Sequence, residues 1–376
     1  MKRFLVVAAL FMISSAAVPA SHAWGIGHRG RGRPCRCHRK RHRPSLPPVC
    51  PNPIEPIIPP VVVVPSPRPE FDPVSLRSPV LNNGRPIWDA VFCMSRISEL
   101  VYEDEPVVRQ QLVEWGFESK CITVDSMVVH VAWNDDALVI AFRGTNELAD
   151  WVVNLNFATH AIIEGRVHAG WYSAYKSLEP QILEALPADG ERPRKVWITG
   201  HSLGGALAVA CDYAFVKRRL PVSSTVTFGQ PMVVDSRMAA FLGASNAGRY
   251  VRVVNENDIV TKIPPWTFVH FGKLAWFRGE SVIVRGRQRG IVPARPLHSD
   301  GQFPQGQRRL TDAEFRRLKR FLAEHRNEVD EKRGVTAAAA HEGYGGFMPM
   351  IEDHAVANYV EKSRVEMLHA RTTRSR

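Results

Sequence analysis

The chain lacks a second long apolar run. After residue 18, none approaches the roughly 20 residues needed to cross a membrane. It is also poor in cysteine, and its six cysteines do not form the paired Cys-x2–4-Cys spacing of structural zinc sites. Between residue 24 and Glu55 there is no acidic residue at all. These absences exclude a multi-spanning membrane protein, argue against a zinc module, and leave one basic stretch without local counter-charges.

The N-terminus has the pattern of an export signal. Lys2 and Arg3 precede an apolar run over residues 4–18, and small residues then offer cleavage after Ala20 or Ala23. We expect residues 1–23 to be a secretory signal peptide; an uncleaved anchor is the alternative. The protein is therefore expected to be secreted, or to lie in the periplasm or at the cell surface.

Residues 24–70 form a different kind of segment, basic and then proline-rich. Residues 29–43 carry eight of the twelve net positive charges, and eleven prolines follow between Pro44 and Pro69. Such a composition favours a disordered arm that leads into a polyproline spacer. Through residues 24–43 the arm is predicted to contact an anionic membrane or polymer, or else to be a solvated leader; nucleic acid is not expected. Two of the three arm cysteines, Cys35, Cys37 and Cys50, are expected to form a disulfide, with the pairing left open.

Residues 71–362 are predicted to be one α/β domain. Apolar spacing predicts helices over 86–103, 173–186, 203–219 and 235–243, and β-branched runs predict strands over 127–133, 137–142, 196–199, 225–228 and 250–254. Strands that alternate with helices favour a mainly parallel sheet covered on both faces, with only the N-terminal hairpin antiparallel. In this body Cys93 and Cys121 are candidates for a pair, and Cys211 for a buried thiol.

One strand-to-helix junction carries the chemistry. The sequence Gly200-His201-Ser202-Leu203-Gly204 follows a short apolar strand and opens into a helix rich in small residues. This is the pattern of a nucleophile elbow, in which the serine hydroxyl stands above the sheet at a helix N-terminus. The sequence therefore predicts Ser202 as a nucleophile.

A serine nucleophile needs a base and an orienting carboxylate downstream. Asp258 follows a predicted strand and is the preferred acid, with Glu256, Asp212 and Asp235 as competitors. His354 is the preferred base, with His298, His325 and His341 as alternatives. His201 is interpreted as part of the scaffold, on the opposite side of the elbow from Ser202.

Six motifs follow one another along the chain: Phe142-Arg143-Gly144-Thr145, His168-Ala169-Gly170-Trp171, residues 200–206, Phe228-Gly229-Gln230-Pro231, Asn257-Asp258-Ile259-Val260 with Pro264-Pro265, and Asp353-His354. In this order they resemble the class 3 (fungal-type) lipases, over about residues 85–275 and 345–362. The resemblance implies an α/β-hydrolase fold, a triad of Ser202, Asp258 and His354, and an oxyanion hole of Thr145 with the Leu203 N–H. It also implies that His168 is structural.

The resemblance further implies a serine hydrolase of lipid acyl esters that acts at an interface, without cofactor or metal. A phospholipase A1-type enzyme and a catalytically inactive surface-binding protein are the alternatives. In the family a lid follows the oxyanion loop, and here Leu148, Trp151, Val152 and Leu155 share one helical face. A fixed helix packed on the core fits that spacing equally well.

Two departures from the family pattern concern the substrate. After Pro231 the family usually continues Arg-x-Gly, whereas this chain has Met232-Val233-Val234. Residues 276–345 match no motif of the family, contain a charged helical pattern over 311–332, and are predicted to be an insertion near the mouth of the site. Residues 363–376 are predicted to form a basic tail, and the oligomeric state is left open.

Overall fold

The computed structural model describes residues 71–187, 195–265, 267–285, 308–331 and 347–374. The predicted signal peptide and arm, with Cys35, Cys37 and Cys50, lie outside these ranges, as do His298 and His341. Among the described residues, no helix is long and apolar enough to span a membrane.

Twelve strands are found in the described ranges. They are β1 (Leu81–Asn82), β2 (Arg85–Pro86), β3 (Glu118–Val124), β4 (Met127–Trp133), β5 (Ala137–Phe142), β6 (Thr159–Ile162), β7 (Gly165–His168), β8 (Lys195–His201), β9 (Ser224–Phe228), β10 (Tyr250–Asn255), β11 (Lys273–Arg278) and β12 (Ser281–Arg285). Eight of them form the central sheet in the order β12-β11-β10-β9-β8-β5-β4-β3, while β1/β2 and β6/β7 are separate two-stranded ribbons.

The helices of the described ranges flank this sheet. They are α1 (Trp88–Leu100), α2 (Glu105–Glu114), α3 (Leu148–Asn154), α4 (Ala169–Glu184), α5 (Leu203–Lys217), α6 (Ser236–Ser245), α7 (Asp312–Glu324), α8 (Arg326–Glu331), α9 (Phe347–Glu352) and α10 (Val356–Arg374), with short 3-10 turns at Pro73–Arg77 and Val260–Lys262.

The central strands are buried on both faces because helices cover each side. Trp197 and Ile198 are neighbours in β8 and point to opposite faces, as strand geometry requires. Trp197 belongs to the apolar cluster that includes residues of α1 and α10. Ile198 belongs to the cluster formed with α4 and α5. The predicted α/β class, a largely parallel sheet between two helical layers, is confirmed.

The edges of the sheet differ from the prediction. Strands β5, β8, β9, β10 and β11 are parallel, but β3, β4 and β5 pair antiparallel at one edge, and β12 pairs antiparallel with β11 at the other. The expectation of a single antiparallel hairpin was therefore wrong. Residues 276–285, which carry no family motif, complete the sheet, because the two residues between β11 and β12 allow a tight hairpin.

Three local predictions also need correction. Pro86 pairs in β2, and α1 begins only at Trp88, two residues later than the predicted start. Cys93 and Cys121 are free thiols: Cys93 faces Ser75 from α1, whereas Cys121 lies on the edge strand β3. The charged pattern over 311–332 forms two helices, separated at His325.

Candidate active site

Ser202 lies on a sharp turn between β8 and α5. Its backbone has φ 59° and ψ −126°, a conformation that costs a non-glycine residue about 1–3 kcal/mol. The turn is possible only because its flanking residues are glycines. A Cβ on Gly200 would collide with the backbone of Gly204, and one on Gly204 would collide with the carbonyl of Phe142. The spacing of the pentapeptide thus reflects how closely helix and strands approach one another here.

Asp258 and His354 come from distant parts of the chain and meet beside this turn. Asp258 follows β10, and His354 lies between α9 and α10. His354 Nδ1 lies 2.8 Å from Asp258 Oδ2, and both side chains are at most 1% exposed. The other carboxylate oxygen, Oδ1, accepts the backbone N–H of Val260 at 2.8 Å. A proton on His354 Nδ1, donated to Asp258, leaves the Nε2 lone pair as an acceptor.

The remaining polar atoms of the site are an unused donor and an unused acceptor. Ser202 Oγ and His354 Nε2 are both buried, and neither has a hydrogen-bond partner among the described residues. Buried polar atoms without partners are uncommon in folded proteins and concentrate where chemistry takes place. A substrate that enters here would find a hydroxyl and an imidazole nitrogen that no structural bond occupies.

Tyr359 on α10 completes the surroundings of Asp258, and the sequence analysis missed it. Its Oη donates to Asp258 Oδ2 at 2.5 Å and accepts the backbone N–H of Asn255 at 3.1 Å. The Asn255 bond orients the phenol so that its proton points to the carboxylate. No sequence pattern marks this role, because the spacing from His354 does not say which way the tyrosine faces.

His201 contacts the candidate base, His354. Its Nδ1 lies 2.8 Å from Tyr102 Oη, and its Nε2 lies 2.8 Å from the backbone carbonyl of His354. The His201 and His354 rings stack with their centroids 4.5 Å apart. Both ring nitrogens of His201 are therefore engaged in structural contacts, which suits a scaffold residue.

The loop with Thr145 lies against the elbow. A Cβ on Gly144 would be 2.8 Å from the carbonyl oxygen of His201, so the two segments touch at this point. Thr145 Oγ1 accepts the N–H of Glu147 at 3.1 Å, which stabilises the turn before α3. Leu203 is the first residue of α5, where backbone N–H groups lack intrahelical acceptors and the helix dipole favours negative charge.

The competing acids are committed to structural contacts. Glu256 pairs with Lys362 at 2.5 Å and accepts the N–H of Gly279. Asp212 is buried and pairs with Arg249 at 2.7 Å. Asp235 caps α6, and its side chain accepts the N–H of Met238. None of these contacts involves His354.

Part of the chain is similar to known proteins of one family. Residues 139–268 match the family model described as lipase (class 3). This part of the chain is similar to the class 3 lipases. The chain is 33% identical to a lipase of Rhizomucor miehei over 205 residues, which cover 52% of this chain and 53% of the relative. It is 33% identical to a chloroplastic phospholipase A(1) of Arabidopsis thaliana over 34% of this chain and 33% of the relative.

Two further comparisons complete the picture. A secreted mono- and diacylglycerol lipase of Fusarium solani is 31% identical over 35% of this chain and 40% of the relative. A solved triacylglycerol lipase structure, described as having a serine protease triad, is 26% identical with a TM-score of 0.46. The match covers 52% of this chain and 83% of the lipase chain. The chain spans about half or less of the length of these curated relatives.

The segment predicted as a lid forms α3 and the residue after it. Leu148, Val152 and Leu155 are buried in the apolar cluster that also contains Leu203, next to the Ser202 turn. Trp151 is half-buried. Its ring stacks on that of Trp171, with 6.1 Å between centroids.

A small apolar cleft runs along α5. Its wall includes Ala206, Val209 and Ala210 from α5, and Trp171 and Met238 from neighbouring elements. Ala206 lies one helical turn beyond Ser202, so the cleft begins close to the Ser202 turn.

Proposed function

We propose that the chain is a secreted serine carboxylester hydrolase that cleaves acyl esters of lipids. The observation that carries the proposal is the joint geometry of the site. The site combines a strained serine turn with a buried histidine–carboxylate pair. It also holds two buried polar atoms without a hydrogen-bond partner among the described residues, Ser202 Oγ and His354 Nε2. The family match and the relatives named as lipases support the choice of ester substrates.

The reaction follows from these contacts. Ser202 Oγ attacks the ester carbonyl carbon as its proton passes to His354 Nε2, and the carbonyl electrons move to the oxygen. Asp258 stabilises the imidazolium through Nδ1. The Leu203 N–H donates to the oxyanion, and Thr145 donates through its backbone N–H and its hydroxyl. Collapse of the tetrahedral intermediate expels the alcohol, which takes the proton from His354, and leaves the acyl group on Ser202. A water molecule then attacks this acyl-enzyme and releases the acid by the same steps in reverse order.

The substrate class is proposed to be long-chain acyl esters. The cleft beside α5 is apolar and begins one turn from Ser202, so it suits the distal part of an acyl chain. Relatives named as lipase, mono- and diacylglycerol lipase and phospholipase A(1) make both neutral glycerides and phospholipids candidates. A panel of these esters, with varied chain length, distinguishes them.

The test is labelling with a fluorophosphonate probe, with the modified peptide mapped. We expect label on Ser202 and none in Ser202→Ala. Asp258→Asn and His354→Gln are each expected to lower ester turnover by several orders of magnitude, and their combination to add little, because the three groups act as a unit. Glu256→Gln is the matched control and should change turnover little.

Two results would contradict this proposal. The first is turnover that survives Ser202→Ala. The second is a folded wild-type protein that neither labels nor hydrolyses any ester of the panel with lipid micelles present, which would favour the inactive surface-binding alternative.

A further inference from the structure

The site is closed in this structure, and α3 belongs to the apolar cluster beside it. Ser202 is fully buried and His354 is 1% exposed. The apolar side of α3 shares a cluster with Leu203, and the same cluster includes Phe315 and Leu318 of α7. Helix α7 comes from the 276–345 segment that has no family motif, so a part of the chain outside the family pattern contacts the predicted lid.

Lys319 of α7 holds the C-terminal end of α3. Its Nζ donates to the carbonyl oxygens of Val153 and Leu155, at 2.8 Å each. The last carbonyls of a helix lack intrahelical donors, and a cation there also complements the helix dipole. The same ammonium lies 5.9 Å from the ring centroid of Phe157 and 5.3 Å from that of Phe315. One side chain thus satisfies two backbone acceptors at the end of α3.

A second contact fixes the middle of α3. Arg326 Nε of α8 lies 2.5 Å from Asp150 Oδ1. Beyond the helix, the Phe157 and Phe315 rings meet edge to face with centroids 5.3 Å apart. The contacts therefore hold α3 at its middle, its C-terminus and the residues that follow.

We propose that α7 and α8 form a latch that holds α3 closed over Ser202, and that Lys319 is its main contact. If α3 moved away, the Val153 and Leu155 carbonyls would lose their donor and the Lys319 ammonium would lose both acceptors. Opening therefore carries a cost that contact of the apolar side of α3 with a lipid surface would offset. The role of the latch, which is to keep ester substrates from Ser202, rests on the proposed hydrolase function. The contacts of α3 with α7 and α8 do not depend on that function.

The test measures the mobility of α3 independently of activity. We expect Lys319→Met to speed backbone hydrogen exchange in residues 149–155, and fluorophosphonate labelling of Ser202 in lipid-free buffer, by about 10-fold, as the loss of hydrogen bonds to a charged group suggests. Lys319→Arg should retain most of the protection. Arg317→Met removes an exposed charge from the same helix and is the matched control, with no change expected.

A charge exchange between α8 and α3 distinguishes loss of the latch from misfolding. Arg326→Asp should loosen α3 in the same assays, and the exchanged pair Arg326→Asp with Asp150→Arg should restore the slow rates. Turnover of aggregated ester should stay near wild type in Lys319→Met while turnover of a monomeric ester rises.

The outcomes separate the two proposals. Faster exchange in Lys319→Met, with no labelling in any protein, would refute the hydrolase and support the latch. Normal labelling of wild type, with exchange and labelling unchanged in Lys319→Met, would overturn the latch. A folded Lys319→Met protein that loses activity on both esters would also overturn it, since α7 would then position the site rather than restrain α3.

Discussion

Asp353, next to the proposed base, should make stability fall as the pH rises. Burial raises the pKa of its carboxyl from 3.8 to about 6, helped by the nearby charges of Asp258 and Glu256; the Asn257 N–H and Lys362 oppose the rise. Asp353 Oδ2 accepts that N–H at 3.0 Å, which joins the acid loop to the base loop. Because the native state holds this proton more tightly than the unfolded chain, stability is greatest below pH 4 for this group and is lost as the pH rises through 6.

The magnitude follows from the two pKa values. A change from 3.8 to about 6 corresponds to about 3 kcal/mol if the carboxyl were fully shielded. The side chain is half-buried, and solvent screening reduces the effect to about 1 kcal/mol. Asp353→Asn keeps an oxygen for the Asn257 N–H and removes the charge. The variant should therefore be more stable than wild type at pH 7.5 by about that amount, and no more stable at pH 4.

Urea unfolding of both proteins from pH 4 to pH 8 measures this difference directly. Other carboxyl groups titrate in both proteins, so only the gap between the two curves reports on Asp353. The gap should open between pH 4 and pH 6.5. A constant gap across this range, or a variant that is less stable at pH 7.5, would refute the argument from burial.

Three further predictions test other parts of the chain. Trp151→Ser should weaken the rise in activity on aggregated ester more than turnover of a monomeric ester, and an unchanged rate curve through the solubility limit would contradict a moving lid. Deletion of residues 24–70 should abolish binding to anionic vesicles at low salt and leave turnover of a soluble ester intact; equal vesicle binding by both proteins would contradict the predicted arm. Ala210→Leu should fill the apolar cleft and lower the ratio of long-chain to short-chain turnover several-fold, whereas an unchanged ratio would place the acyl chain elsewhere.

Much of the fold could be predicted from local patterns. Strands β4 and β5 have the predicted bounds, and α5 begins at the predicted residue. Helix α1 begins two residues later than predicted because Pro86 pairs with Leu81 in a short ribbon. This pairing, and not the compatibility of proline with a first helical turn, decides where the helix begins. The antiparallel strand β12 had no clear signal, since its alternation is short and it lies at the edge of the sheet.

The elbow around Ser202 was determined by the sequence alone. Its requirements are local, because two glycines within five residues let a strand and a helix pass close together. A Cβ on Gly200 or Gly204 would collide with neighbouring backbone. The preference for His354 and Asp258 came mainly from a family resemblance, because no local rule links two residues 96 positions apart. Their contact is decided by how β10, α9 and α10 pack.

Only the tertiary structure revealed Tyr359 and Lys319. Tyr359 reaches Asp258 across 101 positions, and Lys319 reaches Val153 across 166. A lysine on an amphipathic helix looks the same in sequence whether it faces water or the end of another helix. The direction of a side chain and the identity of the group it meets depend on the packing of whole elements, and a short window of sequence does not encode that packing.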